Sequence, residues 1–453
     1  MKKLAMGVLC AGALAIAGAL GTSYYIGGRI QAAFEQTADT WSTEDGFAVR
    51  ILEYHRGLVT AQAQTLWSFA DAENTYDIVV THDIVHGPWP LGRAGKVVSR
   101  FVLPEDSEPE LIEALQDRAP LEWVTLVGWQ GNTTHAMTSP HFTAHFADGS
   151  TLTWGGLKAD WTLSTEQHAA QGQVRMPVLR LKSEDGSRMD LEDAELAFDS
   201  RIPEGHSFWD GPVSFKLGLL SVLNPGDDNA FKIQQLQMDS TTRLQDQSVD
   251  MGLDTRMAKL ETPAYSASEL VASVQLQRID ATWLDEWMRW AQGNGAAEDQ
   301  GIALLRSLPT LLAGKPEFAI TRLGMQTPDG PAELSARLAY VGQQPEAFNP
   351  ATDIEGQFKA LLPQPMLVQL LDAKVRSDYL TLLEQLGQEM SEEQLQAAVD
   401  DGVVKRMKTL LSQGVVEKRG DALEATLEFS QGSFKLNGRP QPLQHLLGIG
   451  GAL

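Results

Sequence analysis

Phe142-Thr-Ala-His-Phe-Ala-Asp-Gly-Ser-Thr-Leu-Thr-Trp154 sets two short alternating runs on either side of Asp148-Gly149. Phe142, Ala144 and Phe146 alternate with Thr143 and His145, and Leu152 and Trp154 answer them beyond the turn. A period of two sends one set to a buried face and the other toward water. Asp-Gly accepts the positive φ of a tight turn. The stretch is a β-hairpin, and its pattern recurs. Asp185-Gly186 separates 178–181 from 191–198, Asp329-Gly330 separates 318–325 from 334–341, and Asn437-Gly438 closes a strand at 434–436. Four such dipeptides beside alternating runs predict an antiparallel meander.

Helices interrupt it. Residues 108–117 form a short candidate, and 281–290 carry Trp283, Trp287 and Trp290 at helical spacing. A further helix over 297–313 ends at Gly314 before Pro316. The region 364–415 is the most helical. There Ser391-Glu-Glu-Gln394 has the form of a capping box, and Leu395, Val399, Val403, Met407 and Leu410 follow on one face. A small apolar helix is expected near 443–447.

At the N-terminus, Leu4 to Ile26 follow Lys2 and Lys3 without a charge. As a helix this run measures roughly 35 Å, which matches a bilayer core of about 30 Å. Tyr24 and Tyr25 stand at its far end, where amphipathic rings favour the interface. An uncleaved anchor is the expectation. Ala17-Gly18-Ala19 leaves a cleaved signal peptide open as the alternative, and Cys10 a lipoprotein as a remote third. The fold class expected is therefore α+β, mainly β. An N-terminal transmembrane helix (1–30) leads into an extended antiparallel β-meander body with short helices (31–362). A C-terminal helical insertion (363–416) precedes a final hairpin and short helix (417–453).

With 43% hydrophobic and 21% charged residues, the chain can bury a core over most of its 453 residues. A formal net charge of −23 repels nucleic acid, which is excluded as a partner. One cysteine, Cys10, rules out an intrachain disulfide and a thiolate zinc site.

No motif calls for a cofactor. His82 and His86 have a spacing that would suit a metal on a helix, but their surroundings read as strand. His135, His141 and His145 are expected on a polar strand face, solvated or hydrogen-bonded. There is no Gly-x-Ser-x-Gly elbow and no phosphate-cradling loop, so no catalytic residue is assigned.

Two stretches stand out: Glu53-Tyr-His-Arg-Gly-Leu58 and Val85-His-Gly-Pro-Trp-Pro-Leu91. Each sets a histidine beside a glycine and an aromatic at a strand end. Pro88 and Pro90 fix φ and disfavour the helical region for the residue before each. Tyr54, His55, Arg56, Gly57, His86, Gly87, Pro88, Trp89 and Pro90 are the candidate residues. The two corners are expected to meet, with His55, Arg56 and His86 hydrogen-bonding turn backbone; the same residues could instead form a split binding or hydrolytic site.

These motifs carry a resemblance. Tyr25-x-Gly27 with Arg29, Tyr54-His55-Arg56-Gly57, His86-Gly87-Pro88-Trp89-Pro90-Leu91, Leu308-Pro309 through Gly314-x-Pro316, Leu334-x-x-x-Leu338 and the ending Phe434-x-Leu436-Asn437-Gly438 are similar to the YdgA-like bacterial envelope proteins, a domain-of-unknown-function family. The resemblance implies an inner-membrane, single-pass protein with most of its chain in the periplasm. A more distant likeness, of architecture alone, is to AsmA-like envelope proteins, which are associated with phospholipid transport. The expected function is non-enzymatic, binding lipid or another hydrophobic ligand along the sheet. The alternative is an envelope scaffold that docks a protein through 364–415, and a hydrolase using His55 and His86 comes third. Secretion to the periplasm after signal cleavage is the alternative location.

Overall fold

Antiparallel pairing accounts for most of the chain. In the computed structural model, residues 25, 28–32, 35–36, 47–70, 75–88, 92–104, 107–165, 168–226, 230–262, 265–291, 306–388 and 390–441 are described. Strand takes 56% of them and helix 23%. Two compact units divide the chain: Met1–Ile202 with Phe215–Ala230, and Pro203–Ser214 with Phe231–Leu453.

The first unit contains β1 (Phe47–Arg56), β2 (Thr60–Ala70), β3 (Thr75–His86), β4 (Gly95–Val102), β5 (Glu122–Val127), β6 (Thr133–Ser139), β7 (Phe142–His145), β8 (Thr151–Trp154), β9 (Leu157–Ser164), β10 (Ala169–Lys182) and β11 (Arg188–Arg201), with most of β12 (Gly211–Leu223). Helix α1 (Pro109–Leu115) joins β4 to β5. Strands β1 to β6 pair in chain order. β6 then pairs with β9, β9 with β10 and β10 with β11, while the β7–β8 hairpin attaches to β10 through β8. Asp148 and Asp185 each accept the backbone N–H two residues ahead, so the turn dipeptides make Asx turns.

The second unit holds β13 (Phe231–Gln245), β14 (Ser248–Glu261), β15 (Ser266–Asp280), β16 (Glu317–Thr327), β17 (Gly330–Tyr340), β18 (Ile354–Pro363), β19 (Glu417–Arg419), β20 (Ala422–Ser430), β21 (Ser433–Leu436) and β22 (Arg439–Gln441). Strands β13 to β18 pair in chain order and β18 pairs with β20. β20 also pairs with β19 over one half and with β21 over the other, and β22 follows β21. Asn437 (φ 48°) and Gly438 (φ 74°) both lie in the left-handed region of that two-residue turn.

Helix α2 (Ala281–Ala291) follows β15, and α3 (Gln364–Leu386) and α4 (Glu392–Ser412) separate β18 from β19. Ser391 and Gln394 form the capping box at the start of α4. Leu395, Val399, Val403 and Leu410 pack with Leu367, Leu371 and Val375 of α3 and with Leu423, Phe434 and Leu436 of the sheet. Residues 306–313 are helical; 297–305 and 443–447 lie outside the described residues.

The expected class, α+β with a transmembrane helix at 1–30, is corrected to mostly antiparallel β-sheet. No described helix is long and apolar enough to cross a membrane. The longest, α3 and α4 with 23 and 21 residues, carry Asp, Glu, Lys and Arg along their length and bury only one face. The apolar run 4–26 was read by length and hydropathy alone, and except for Tyr25 it lies outside the described residues. Nearby, Ile30 packs on the first unit's sheet against Ala61, Ala63 and Ile84.

Candidate functional site

The two signature stretches meet. Arg56 of β1 pairs with Ala61 of β2, which pairs with Ile84 of β3. The β1–β2 turn closes with Gly57 N–H donating to the Thr60 carbonyl (2.8 Å), and His86 N–H donates to the Val59 carbonyl (2.8 Å). Gly87 N–H then donates to the Ala94 carbonyl (2.7 Å). A β-carbon on Gly87 would stand 1.6 Å from the Arg93 carbonyl oxygen, so only glycine fits there. The Gly87-Pro88 bond is cis. Trp89 and Pro90 lie outside the described residues.

The side chains divide by face. His55 pairs in register with Gln62 and through it with Asp83, three residues before His86, so the two imidazoles lie on opposite faces. His55 is exposed and bonds the Glu53 carboxylate at 3.2 Å rather than turn backbone. Tyr54, Arg56 and His86 share the inner face. Burial raises the Tyr54 phenol above its ordinary range, with Arg56 opposing.

His86 is wholly buried (0% exposed), and among the described residues neither ring nitrogen makes a hydrogen bond of good geometry. Burial lowers its pKa; the Leu58 carbonyl lies close enough to oppose this, and Arg56 adds to it. At this corner the two histidines therefore share no face of the sheet.

Two further histidines lie on the same inner face. His82 sits between Thr65 Oγ1 (2.9 Å) and Ser99 Oγ (2.8 Å), and Trp67 Nε1 donates to Thr65 (3.0 Å). His135 bonds Thr133 (2.7 Å) and Thr125 (3.0 Å), accepts from Trp123 Nε1 (3.2 Å), and stacks on Trp161 at 4.8 Å between centroids. His135 is therefore buried, whereas His141 and His145 are exposed as a polar strand face requires. Gly172 lies opposite Trp161 and leaves room for that stack: a β-carbon there would stand 2.4 Å from Trp161 Cβ. Burial lowers both imidazoles to about 4, so they are neutral core donors and acceptors near pH 7. No three His, Cys, Asp or Glu side chains converge as metal donors among the described residues.

The second unit carries a surface of another kind. Paired strands put directly opposed residues on one face, and three rows run across it. Leu253, Val274, Ile320, Ala336, Phe358 and Leu427 form one. Met251, Leu276, Phe318, Leu338, Gly356 and Phe429 form the next, and Thr255, Ala272, Leu323, Leu334, Ala360 and Ala425 the third.

Their opposite face is polar and charge-paired. Glu317 takes Arg337 (2.7 Å) and Arg278 (3.1 Å), Lys359 pairs with Glu424 (3.2 Å), and Arg322 with Glu333 (3.5 Å). Exposed pairs add only about 0–1 kcal/mol each to stability, so their clearer consequence is to mark which face meets water. Arg337 and Arg278 hold the Glu317 carboxyl down to about 2 against its partial burial.

Cover for the apolar face comes from its two ends. At one, α2 and Phe208 pack over Val249 and Ile279. Asp285 anchors α2 by accepting from Ser207 N–H (2.7 Å) and Ser207 Oγ (2.8 Å), and by bonding His206 Nδ1 (2.6 Å). Trp283 packs there and Trp287, stacked on it at 6.4 Å, faces water, so the tryptophan stripe is only partly a core stripe. At the other end lie α3 and α4. Between them Leu253 (37%), Phe318 (36%), Leu323 (43%) and Leu338 (49%) stay open to solvent. Large contiguous apolar exposure of this kind marks an interaction surface.

The fold and this surface define a class: an antiparallel sheet protein with buried histidines in its first unit and an exposed apolar sheet face on its second. The chain belongs to the family described as "Bacterial protein of unknown function (DUF945)", whose model matches residues 1–444. Neither the curated proteins nor the solved structures compared with the chain include a match.

Proposed function

We propose that this protein is a non-enzymatic binder of hydrophobic ligands that holds the acyl chains of a lipid along the open sheet face of its second unit. One observation carries the reading: three cross-strand rows of aliphatic and aromatic side chains, backed by a charge-paired face, with four large members exposed. An acyl chain laid along Phe318, Leu323 and Leu338 removes that apolar area from water, at about 25 cal/mol per Å². The envelope setting implied by the sequence resemblance supplies such ligands, and the architectural likeness to AsmA-like proteins points the same way at the level of fold alone.

Leu323→Glu and Leu338→Glu place a charge on the face at positions already near half exposed. Each is expected to weaken binding of pyrene-labelled phosphatidylcholine about tenfold, or about 1.4 kcal/mol. The free energy of unfolding in urea should stay within about 0.5 kcal/mol of the parent. Unchanged lipid affinity in the double variant overturns the reading.

A further inference from the structure

A second apolar recess lies in the helix pair of the same unit. Gln364 and Val368, one turn apart on α3, face Val403, Val404, Met407, Lys408, Leu411 and Ser412 of α4 across a cleft of about 640 Å³. That volume falls within the range of about 300–1,000 Å³ usual for small-molecule sites, and the recess is a groove open to solvent rather than an enclosed cavity. Its walls are aliphatic: Val404 is 66% exposed, although the same helix buries Val403 and Leu410. The cleft sits on the helices and is distinct from the sheet face.

Charge indicates what fits. The helix pair is rich in ion pairs: Lys374 with Asp378 (2.9 Å), Arg376 with Glu392 (2.7 Å), Lys405 with Asp401 (2.5 Å) and Arg406 with Asp378 (2.7 Å). Lys408 is the exception, with no carboxylate partner among the described residues, and it stands on the cleft wall. An unpaired ammonium beside an aliphatic recess, on a chain of net charge −23, complements one anionic head on one apolar tail.

We propose that the α3–α4 cleft binds a free long-chain fatty acid, its tail along Val368, Val404, Met407 and Leu411 and its carboxylate on Lys408 Nζ. This site stands independently of the sheet-face reading.

Calorimetric titration of the full chain with oleate and with oleyl alcohol tests it. The parent should bind oleate at one Lys408-dependent site, in addition to any acyl chain held on the sheet face. Lys408→Gln should weaken oleate about fivefold, the upper worth of an exposed ion pair, and leave the alcohol within about twofold. Val368→Trp fills the cleft and should abolish that site for both ligands. Val404→Asp, at a solvent-facing position, should also weaken oleate and guards against a folding defect in the tryptophan variant. Leu338→Glu should leave the Lys408-dependent site intact and remove only the oleate or alcohol that the sheet face takes. Full oleate binding in Val368→Trp and Val404→Asp overturns the cleft. Equal losses for acid and alcohol in Lys408→Gln overturn the carboxylate assignment. Oleate binding lost only in Leu338→Glu moves the ligand to the sheet face and overturns this proposal while leaving the earlier one standing.

Discussion

Acidification from pH 7 to pH 4 is expected to destabilise the first unit by several kcal/mol. His82 and His135 have their pKa lowered by burial to about 4, against 6.5 in the unfolded chain. A depressed value means that the folded state binds fewer protons. The stabilisation is fully present above pH 6.5 and is lost as the pH falls through the folded value near 4. Each such shift is worth on the order of 3 kcal/mol at pH 4.

Protonation also breaks hydrogen bonds, because a charged imidazole only donates while Trp123 Nε1 donates to the same His135 Nδ1. Glu317 in the second unit behaves differently in range. Its carboxyl, held at about 2 by Arg337 and Arg278, gives stability above pH 4.5 that fades only as the pH falls toward 2. Tryptophan fluorescence and hydrogen exchange across a pH series should therefore show first-unit strands opening before those around Glu317. His82→Gln with His135→Gln should flatten the limb between pH 6.5 and 4. An unchanged limb would assign acid sensitivity to carboxylates instead.

Gly87→Ala is expected to be the most damaging single substitution at the signature corner. The clash is with main chain, 1.6 Å to the Arg93 carbonyl oxygen and 2.8 Å to that of Ala94, and backbone cannot swing aside as a flexible side chain can. Relief requires the backbone of Gly87 to part from that of Arg93 and Ala94, which breaks the Gly87–Ala94 hydrogen bond and uncovers the buried His86. The cost should exceed the about 1–3 kcal/mol of ordinary overpacking. Gly92→Ala is the control. Its φ is +60° with no atom within 4 Å of the added carbon, so it should cost about 1 kcal/mol from backbone strain alone. Chemical denaturation of the two variants compares them directly, and similar losses would refute the steric account.

The hairpins were legible because their signal is local. Asp148-Gly149 and Asp185-Gly186 turn where their dipeptides say, and each aspartate caps its own turn. Ser391 and Gln394 likewise lie close enough in sequence to announce a helix start. His135 could not be placed this way. Thr133-Thr-His-Ala-Met137 alternates without a clear apolar side, and the face is decided by Trp161 and Gly172, which arrive from other strands.

The open face was hidden for a similar reason. Leu323 and Leu338 each look like ordinary inward residues, and nothing local says that the helices stop short of them. His55 and His86 looked like a pair because both stand within two residues of a glycine at a turn. A three-residue offset in register then puts them on opposite sides of the sheet.

The helix pair bears on how the second unit reaches its fold. Pro363 at the end of β18 pairs directly with Ala422 at the start of β20, although all of 364–421 intervenes. Closing so long a loop before any contact forms is entropically slow. Helices α3 and α4 form from neighbouring residues and fold back on one another through Leu371, Val375, Val399 and Val403. The hairpin of helices thereby shortens the search, delivering the two strand ends to each other. On refolding, weakening the contact between these helices is expected to slow the closure of the sheet they interrupt.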